Sequence, residues 1–263
     1  MASPGIIEKA PTNDSANSSN IILKVTGLTK KFGNFIAVDH ISFEIHKGEV
    51  FGLLGHNGAG KTTTVNLLAG LKLPTEGTAT ISGFDIRKKP LDARMKIGFL
   101  PDNPGNYLHL TAKQNLEFFA ELSDLKKEAA SKRISDLLEL VGLTEWRDKK
   151  VGVFSRGMKQ RLGLAQSLMR DPDLLFLDEP TLGIDPEGTR EMRGLIKKLA
   201  SEGKGILICS HLLSEVSRIC DTIAIMRKGK IVVIGTIPEL RKKLGLGDEI
   251  DLEEIFIQVH EGE

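Results

Sequence analysis

The sequence predicts an α/β fold in which a parallel sheet carries a phosphate-binding loop and is joined by an antiparallel β subdomain and an all-helical insert. Three observations predict it. Gly55, His56, Asn57, Gly58, Ala59, Gly60, Lys61 and Thr62 match the pattern G-x-x-x-x-G-K-[ST] letter for letter. Residues 174–177 and 206–209 are continuous apolar runs, the pattern of strands buried on both faces of a parallel sheet. Between about residues 103 and 170 the apolar spacing becomes helical.

In chain order, residues 1–20 are rich in Ser, Asn, Pro and Thr and lack an apolar signal-peptide core, which predicts a disordered tail. Residues 21–25, 41–45, 50–54 and 78–81 are short β-rich runs, and they predict a sheet around the glycine-rich segment. Residues 63–71 read as a helix whose N-terminus faces that segment. In the insert, Thr111 and Gln114 have capping-box spacing ahead of Leu116, Phe119 and Ala120, and Ile134, Leu137, Leu138 and Val141 recur at helical intervals. Beyond the run at 174–177, a helix begins with Asp185 as N-cap and Pro186 at its first position, with Met192, Leu195, Ile196 and Leu199 on one face. Residues 223–226 and 231–234, joined through Lys228, Gly229 and Lys230, predict a hairpin. There is no internal repeat, so a single nucleotide-binding unit is expected.

The chain has 263 residues and a formal net charge of +1, which gives no electrostatic case for nucleic acid as a partner. Cys209 and Cys220 are the only cysteines, too few for a disulfide framework or a four-ligand metal site; in apolar surroundings they read as buried free thiols. No apolar run is long enough to span a bilayer, and a cytoplasmic location is expected.

The chemistry begins at the glycine-rich segment. Its backbone N–H groups curl around phosphate oxygens, Lys61 adds a point charge near the terminal phosphates, and the Thr62 hydroxyl is suited to ligate Mg²⁺; Thr63 follows at the helix start. The second signal is the strand at 174–177, which delivers Asp178 and Glu179 at its C-terminal end. Adjacent carboxylates there call for compensation, which Mg²⁺ and a bound water supply. Asp178 is then the Mg²⁺-linked carboxylate and Glu179 the group that polarises the attacking water.

The third signal is Phe154-Ser155-Arg156-Gly157-Met158-Lys159-Gln160-Arg161. With it, the chain from roughly residue 22 to 235 resembles the ATP-binding subunits of ABC transporters, whose signature motif precedes the second carboxylate motif at about this interval. The resemblance implies a P-loop NTPase core of the ABC ATPase fold over residues 21–236, with a short extension at 237–263. It also implies ATP and Mg²⁺ as ligands, a second ATPase subunit (identical or paired) and a separate integral membrane permease through which the chain sits at the membrane. On this resemblance Phe32 stacks on adenine, residues 181–185 form the D-loop with Asp185, and His211 after Ser210 is the switch histidine. Ser155 and Gly157 then reach the γ-phosphate held by the other subunit. By pattern alone, Ser155, Asp185 and Ser210 also read as helix N-caps, Phe32 more readily as core, and His211 as a structural histidine.

The chain departs from the family pattern in two motifs, at three positions. Arg156 replaces the usual second glycine and Met158 the glutamine of the signature, a form that resembles export-type subunits; Asp102 stands where the Q-loop glutamine aligns. A carboxylate at 102 either ligates Mg²⁺ or repels the γ-phosphate. Asp102 and Arg156 also admit a regulatory binding module with little hydrolysis; a soluble ABC ATPase of translation or repair is a separate alternative, against which stand the single nucleotide domain and the lack of a long coiled-coil insert. Residues 251–257 resemble the Leu-Glu-x-x-Phe ending of ABC-2 type exporters, and by pattern read equally as an amphipathic helix.

Overall fold

The computed structural model describes residues 20–261, so the expected N-terminal tail, apart from Asn20, lies outside the described residues. Elements are numbered in chain order. A four-stranded antiparallel sheet is formed by β1 (Ile21–Phe32), β2 (Phe35–His46), β4 (Glu76–Ile81) and β5 (Phe84–Asp85), in the order β2-β1-β4-β5. A six-stranded sheet contains β3 (Val50–Leu54), β6 (Ile97–Leu100), β7 (Leu174–Asp178), β8 (Gly205–Cys209), β9 (Thr222–Arg227) and β10 (Lys230–Gly235), in the order β10-β9-β3-β8-β7-β6. All its pairs are parallel except β9–β10, the expected hairpin.

Helices α1 (Lys61–Leu68), α2 (Pro90–Met95), α3 (Ala112–Leu122), α4 (Lys127–Leu140), α5 (Arg156–Ser167), α6 (Pro186–Ser201), α7 (Leu213–Ile219), α8 (Ile237–Leu244) and α9 (Leu252–Glu261) complete the fold. The capping box at Thr111 and Gln114 is formed at the start of α3. Asp185 caps α6, accepting from the Gly188 N–H at 3.0 Å, and Met192, Ile196 and Leu199 are buried along it. No helix among the described residues is long and apolar enough to cross a membrane.

Apolar burial organises these elements into three clusters. Phe51, Phe176 and Leu207 on one face of the large sheet meet Leu23, Ile45 and Ile81 of the antiparallel sheet. On the other face, Leu175, Leu177 and Ile206 meet α3 to α6 through residues such as Leu116, Leu138, Leu162 and Ile196. A third cluster seats Leu252, Ile255 and Phe256 of α9 with Leu240 of α8 on Ile223 and Ile225 of β9. Each strand of the parallel core is thus apolar on both sides, the reason its sequence runs without alternation.

The structure revises the expected elements in three places. The run at 21–25 is the first part of a 12-residue strand, paired with a second 12-residue strand across a turn at Gly33 and Asn34. Register shifts along this hairpin break the alternation that would have shown its full length. Strand β6 belongs to the sheet edge just before the insert, and its four residues with a central Gly98 carry little β signal. Within the insert, residues 101–110 contain no helix, and α5 packs against β6: a Cβ on Gly163 would lie 2.7 Å from Leu100 Cδ1 and 2.6 Å from Pro104 Cβ.

Candidate active site

Register brings the candidate residues together. Leu53 pairs with Cys209 and Asp178 pairs with Cys209, so β3, β7 and β8 end level with one another. The glycine-rich loop leaves β3 there, Asp178 and Glu179 leave β7, and Ser210 and His211 leave β8. Side chains at the carboxyl ends of neighbouring parallel strands form the natural ligand crevice of such a sheet.

The loop from Gly55 to Lys61 is shaped by close approach. A Cβ on Gly60 would lie 2.5 Å from the Ala37 carbonyl oxygen, and Gly60 has φ 110°, a conformation only glycine adopts cheaply. His56, Asn57 and Gly58 face solvent, whereas Ala59 is buried and its N–H donates to His56 O at 3.1 Å. Helix α1 starts at Lys61 with Gly60 as N-cap and no side-chain cap; the N–H groups of Lys61, Thr62 and Thr63 have no carbonyl of a preceding turn to bond. An uncapped helix N-terminus behind a curled loop binds anions by both dipole and hydrogen bonds. The Lys61 ammonium is folded back onto the loop, donating to Gly55 O at 2.6 Å and lying 3.3 Å from His56 O.

Glu179 is the most constrained of the carboxylates. It has φ 49°, a left-handed backbone that a non-glycine residue holds only under constraint, and its N–H donates to Cys209 O. Its Oε2 accepts from Ser210 Oγ at 2.8 Å, and its Oε1 accepts from the His211 N–H at 3.1 Å and lies 2.6 Å from His211 Nδ1. Ser210 is therefore a ligand of Glu179 and not the cap of α7, which begins after Leu212 without a side-chain cap. Sequence reasoning missed this role because a Ser ahead of an apolar helix looks like an N-cap; the signal was the Ser-His pair at the end of a buried strand.

Asp178 is half-buried, and its carboxyl pKa is raised, first by loss of solvent, then by repulsion from Glu179 and Asp102, with Lys61 opposing. Asp178, crowded by Glu179 and Asp102, and the exposed Thr62 hydroxyl offer oxygen donors of the kind that suit a hard cation. No group of three or more His, Cys, Asp or Glu able to hold a metal occurs among the described residues. A cation here therefore takes further ligands from phosphate and water, the habit of Mg²⁺.

Phe32 is not core: its ring is 45% exposed near the turn between β1 and β2, with Lys30 Nζ 5.1 Å and Lys72 Nζ 5.5 Å from its centroid. Ser155 caps α5, its Oγ accepting from the Met158 N–H at 3.2 Å. Gly157 is buried where a Cβ would lie 3.0 Å from Ile184 Cγ2, so the turn at 181–185 packs directly on this helix start. Asp102 accepts from Arg156 Nη2 at 3.0 Å. The C-terminal extension also reaches the site: the His56 ring lies 5.0 Å from that of Phe256 and 4.4 Å from that of His260, both on α9.

An α/β core with a phosphate loop, a strand-end carboxylate pair and a helical insert defines an ATP-hydrolysing P-loop protein. The chain belongs to the ABC transporter family, whose pattern matches residues 38–182. Over 223 residues it is 44% identical to the bacitracin transport ATP-binding protein BcrA of Bacillus licheniformis, covering 84% of this chain and 72% of that one. It is 38% identical to the probable multidrug ABC transporter ATP-binding protein YbhF of Escherichia coli (strain K12), over 90% of this chain but only 41% of that longer protein. A solved ATP-binding subunit of an ABC transporter superposes with a TM-score of 0.82 at 28% identity, covering 91% of this chain and all of that one. The chain is accordingly an ATP-binding, ATP-hydrolysing component of the kind that energises a transporter.

Proposed function

We propose that this chain drives an ABC-2 type exporter, pairing head to tail with a second ATPase subunit around two ATP molecules and transmitting closure and opening to a separate membrane permease. One observation carries the two-subunit reading: the chain has two helix N-termini suited to phosphate. One is α1 behind the glycine-rich loop, and the other is α5 behind the exposed Ser155, with Gly157 at its first turn. A single subunit uses the first on its own nucleotide and offers the second to its partner's. Export is supported by the likeness to BcrA, a bacitracin transport ATP-binding protein, and to YbhF, a probable multidrug transporter ATP-binding protein, and by the Leu252-Glu253-Glu254-Ile255-Phe256 segment.

In hydrolysis, a water oxygen bonds to the γ-phosphorus as the bond from that phosphorus to the bridging oxygen breaks, leaving ADP and phosphate. Glu179 takes the water proton, and His211, held against Glu179, orients the carboxylate and donates toward the γ-phosphate. Lys61 and the α1 N–H groups hold the β- and γ-phosphates, Phe32 supports the base, and Thr62 and Asp178 would hold Mg²⁺. When bound, that cation would neutralise charge on the phosphates. Loss of the γ-phosphate removes the contact shared by the subunits, so the dimer opens.

The test is Glu179→Gln. The expected result is a fall in kcat of about 10²–10⁴-fold, with ATP-dependent elution as a dimer in sizing chromatography. Normal turnover would remove Glu179 from its role, and a monomer in ATP would remove the two-subunit site. ATPase activity stimulated by membranes containing the partner permease checks the coupling to transport.

A further inference from the structure

Two of the positions at which this chain departs from the ABC pattern, one in each departing motif, lie 54 residues apart in sequence and are bonded to each other in space: Arg156 Nη2 donates to Asp102 Oδ1 at 3.0 Å. Neither choice is favourable alone. Arg156 is the first residue of α5, where the helix dipole repels a cation, and the first turn of α5 contains no acidic residue to offset it. Asp102 adds a third carboxylate to the Asp178–Glu179 corner, close enough for its charge to act on Asp178. A second residue of α5 also grips the same point: Gln160, buried, donates from Nε2 to the Asp102 carbonyl oxygen at 2.6 Å. Asn106 Nδ2 in turn donates to Lys159 O at 3.1 Å. The Arg156 side chain continues onto Gly183, where a Cβ would lie 3.1 Å from its Nε.

We propose that Arg156 is the counter-charge that permits a carboxylate at position 102 beside the nucleotide, and that the Asp102–Arg156 pair clamps the segment after β6 to the N-terminus of α5 within one subunit. Asp102 on this account is a positioning residue, paired to guanidinium, and not a ligand of Mg²⁺. Without Arg156, a bare carboxylate faces the incoming triphosphate. Without both, neither charge is stranded, so the loss is repaired. The proposal rests on the assignment of residues 55–62 and Asp178 to the nucleotide site and is independent of dimerisation.

The experiment is a mutant cycle, Asp102→Asn, Arg156→Gln and the double variant. ATP affinity is measured by calorimetry in EDTA and again with Mg²⁺, and KM and kcat in parallel. In EDTA, Arg156→Gln is expected to weaken ATP binding by roughly threefold to tenfold, the range of one partly exposed charge interaction. Asp102→Asn is expected to tighten it, and the double variant to return to within about twofold of the parent. Both side chains are half-exposed, so all three proteins fold; equal melting temperatures confirm that affinity is what moved. Additive effects overturn the proposal. So does a loss of affinity on Asp102→Asn that appears with Mg²⁺ and not in EDTA, because that result makes Asp102 a metal ligand. A parent protein that binds no ATP at all sinks the nucleotide-site assignment itself and this inference with it.

Discussion

On the proposed two-subunit reading the N-termini of α1 and α5 serve the same kind of ligand, yet they are built in opposite ways. Helix α1 has a left-handed glycine at its N-cap, no capping side chain, and a first turn whose donors are left for the ligand. Helix α5 is capped by Ser155, so the Met158 N–H is already satisfied before any phosphate arrives, and its first residue is a cation tied to Asp102. On that reading, the difference implies that the two ends act in sequence. An uncapped end with a curled loop binds a triphosphate by itself, whereas a capped end must exchange an internal bond for an external one and becomes competitive only when the rest of the ligand is already held. That order fits a subunit that first loads its own nucleotide and then completes its neighbour's.

The largest blow to this comparison is Gly60→Ala. The new Cβ meets the Ala37 carbonyl at 2.5 Å on a backbone with φ 110°, so the loop must open. Backbone strain of about 1–3 kcal/mol is expected in urea unfolding. Loss of two charge-assisted hydrogen bonds would weaken ATP binding roughly a hundredfold or more by calorimetry. An alanine variant that binds ATP normally would show that α1 does not depend on its glycine cap.

Ser155 sharpens the comparison because capping and phosphate contact are separable there. Ser155→Ala removes both and is expected to lower stability by about 1 kcal/mol and kcat by roughly tenfold to hundredfold. Ser155→Asp keeps the cap, so stability stays within about 0.5 kcal/mol, but it presents a carboxylate to the neighbour's phosphate and turnover falls at least as far. Thermal melts and ATPase rates on the two variants give the answer. If turnover follows stability, Ser155 is a cap alone.

What was legible in the sequence divides along the same line. Residues 55–62 could be read because the backbone geometry they need is written in consecutive glycines, and Asp178–Glu179 because an apolar strand leads straight into them. The capping roles of Thr111, Asp185 and Ser155 were also legible, since a cap and its target are three residues apart. The Asp102–Arg156 bond was not: each residue read as an isolated departure, and only the packing of α5 on β6 brings them together. The Ser210 bond to Glu179 was hidden for a related reason, because the two residues come from different strands. The contact of α9 with His56 was equally hidden, since an amphipathic pattern shows which face is buried and not what lies beneath it.

The smallest effect expected is one of pH, and it separates the carboxylate corner from both helix ends. Asp178 has a folded-state pKa above the ordinary 3.8, chiefly because burial disfavours its charge and secondarily because Glu179 and Asp102 repel it. The folded protein therefore binds this proton more tightly than the unfolded chain, and stability declines as pH rises from about 3.8 through the raised value. At neutral pH the nucleotide-free protein still bears that deficit. Asp178→Asn removes the charge and is expected to raise the melting temperature at pH 7 in EDTA, with the advantage shrinking as pH is lowered toward the ordinary carboxylate value. Adding ATP with Mg²⁺ reverses the ranking, because the parent gains a ligand for the cation that the amide supplies far less well. A variant no more stable than the parent in EDTA would mean that Lys61, the cation opposing the shift, already compensates the crowded carboxylates, and the corner would then be an ion pair awaiting ATP and not a site strained for a metal.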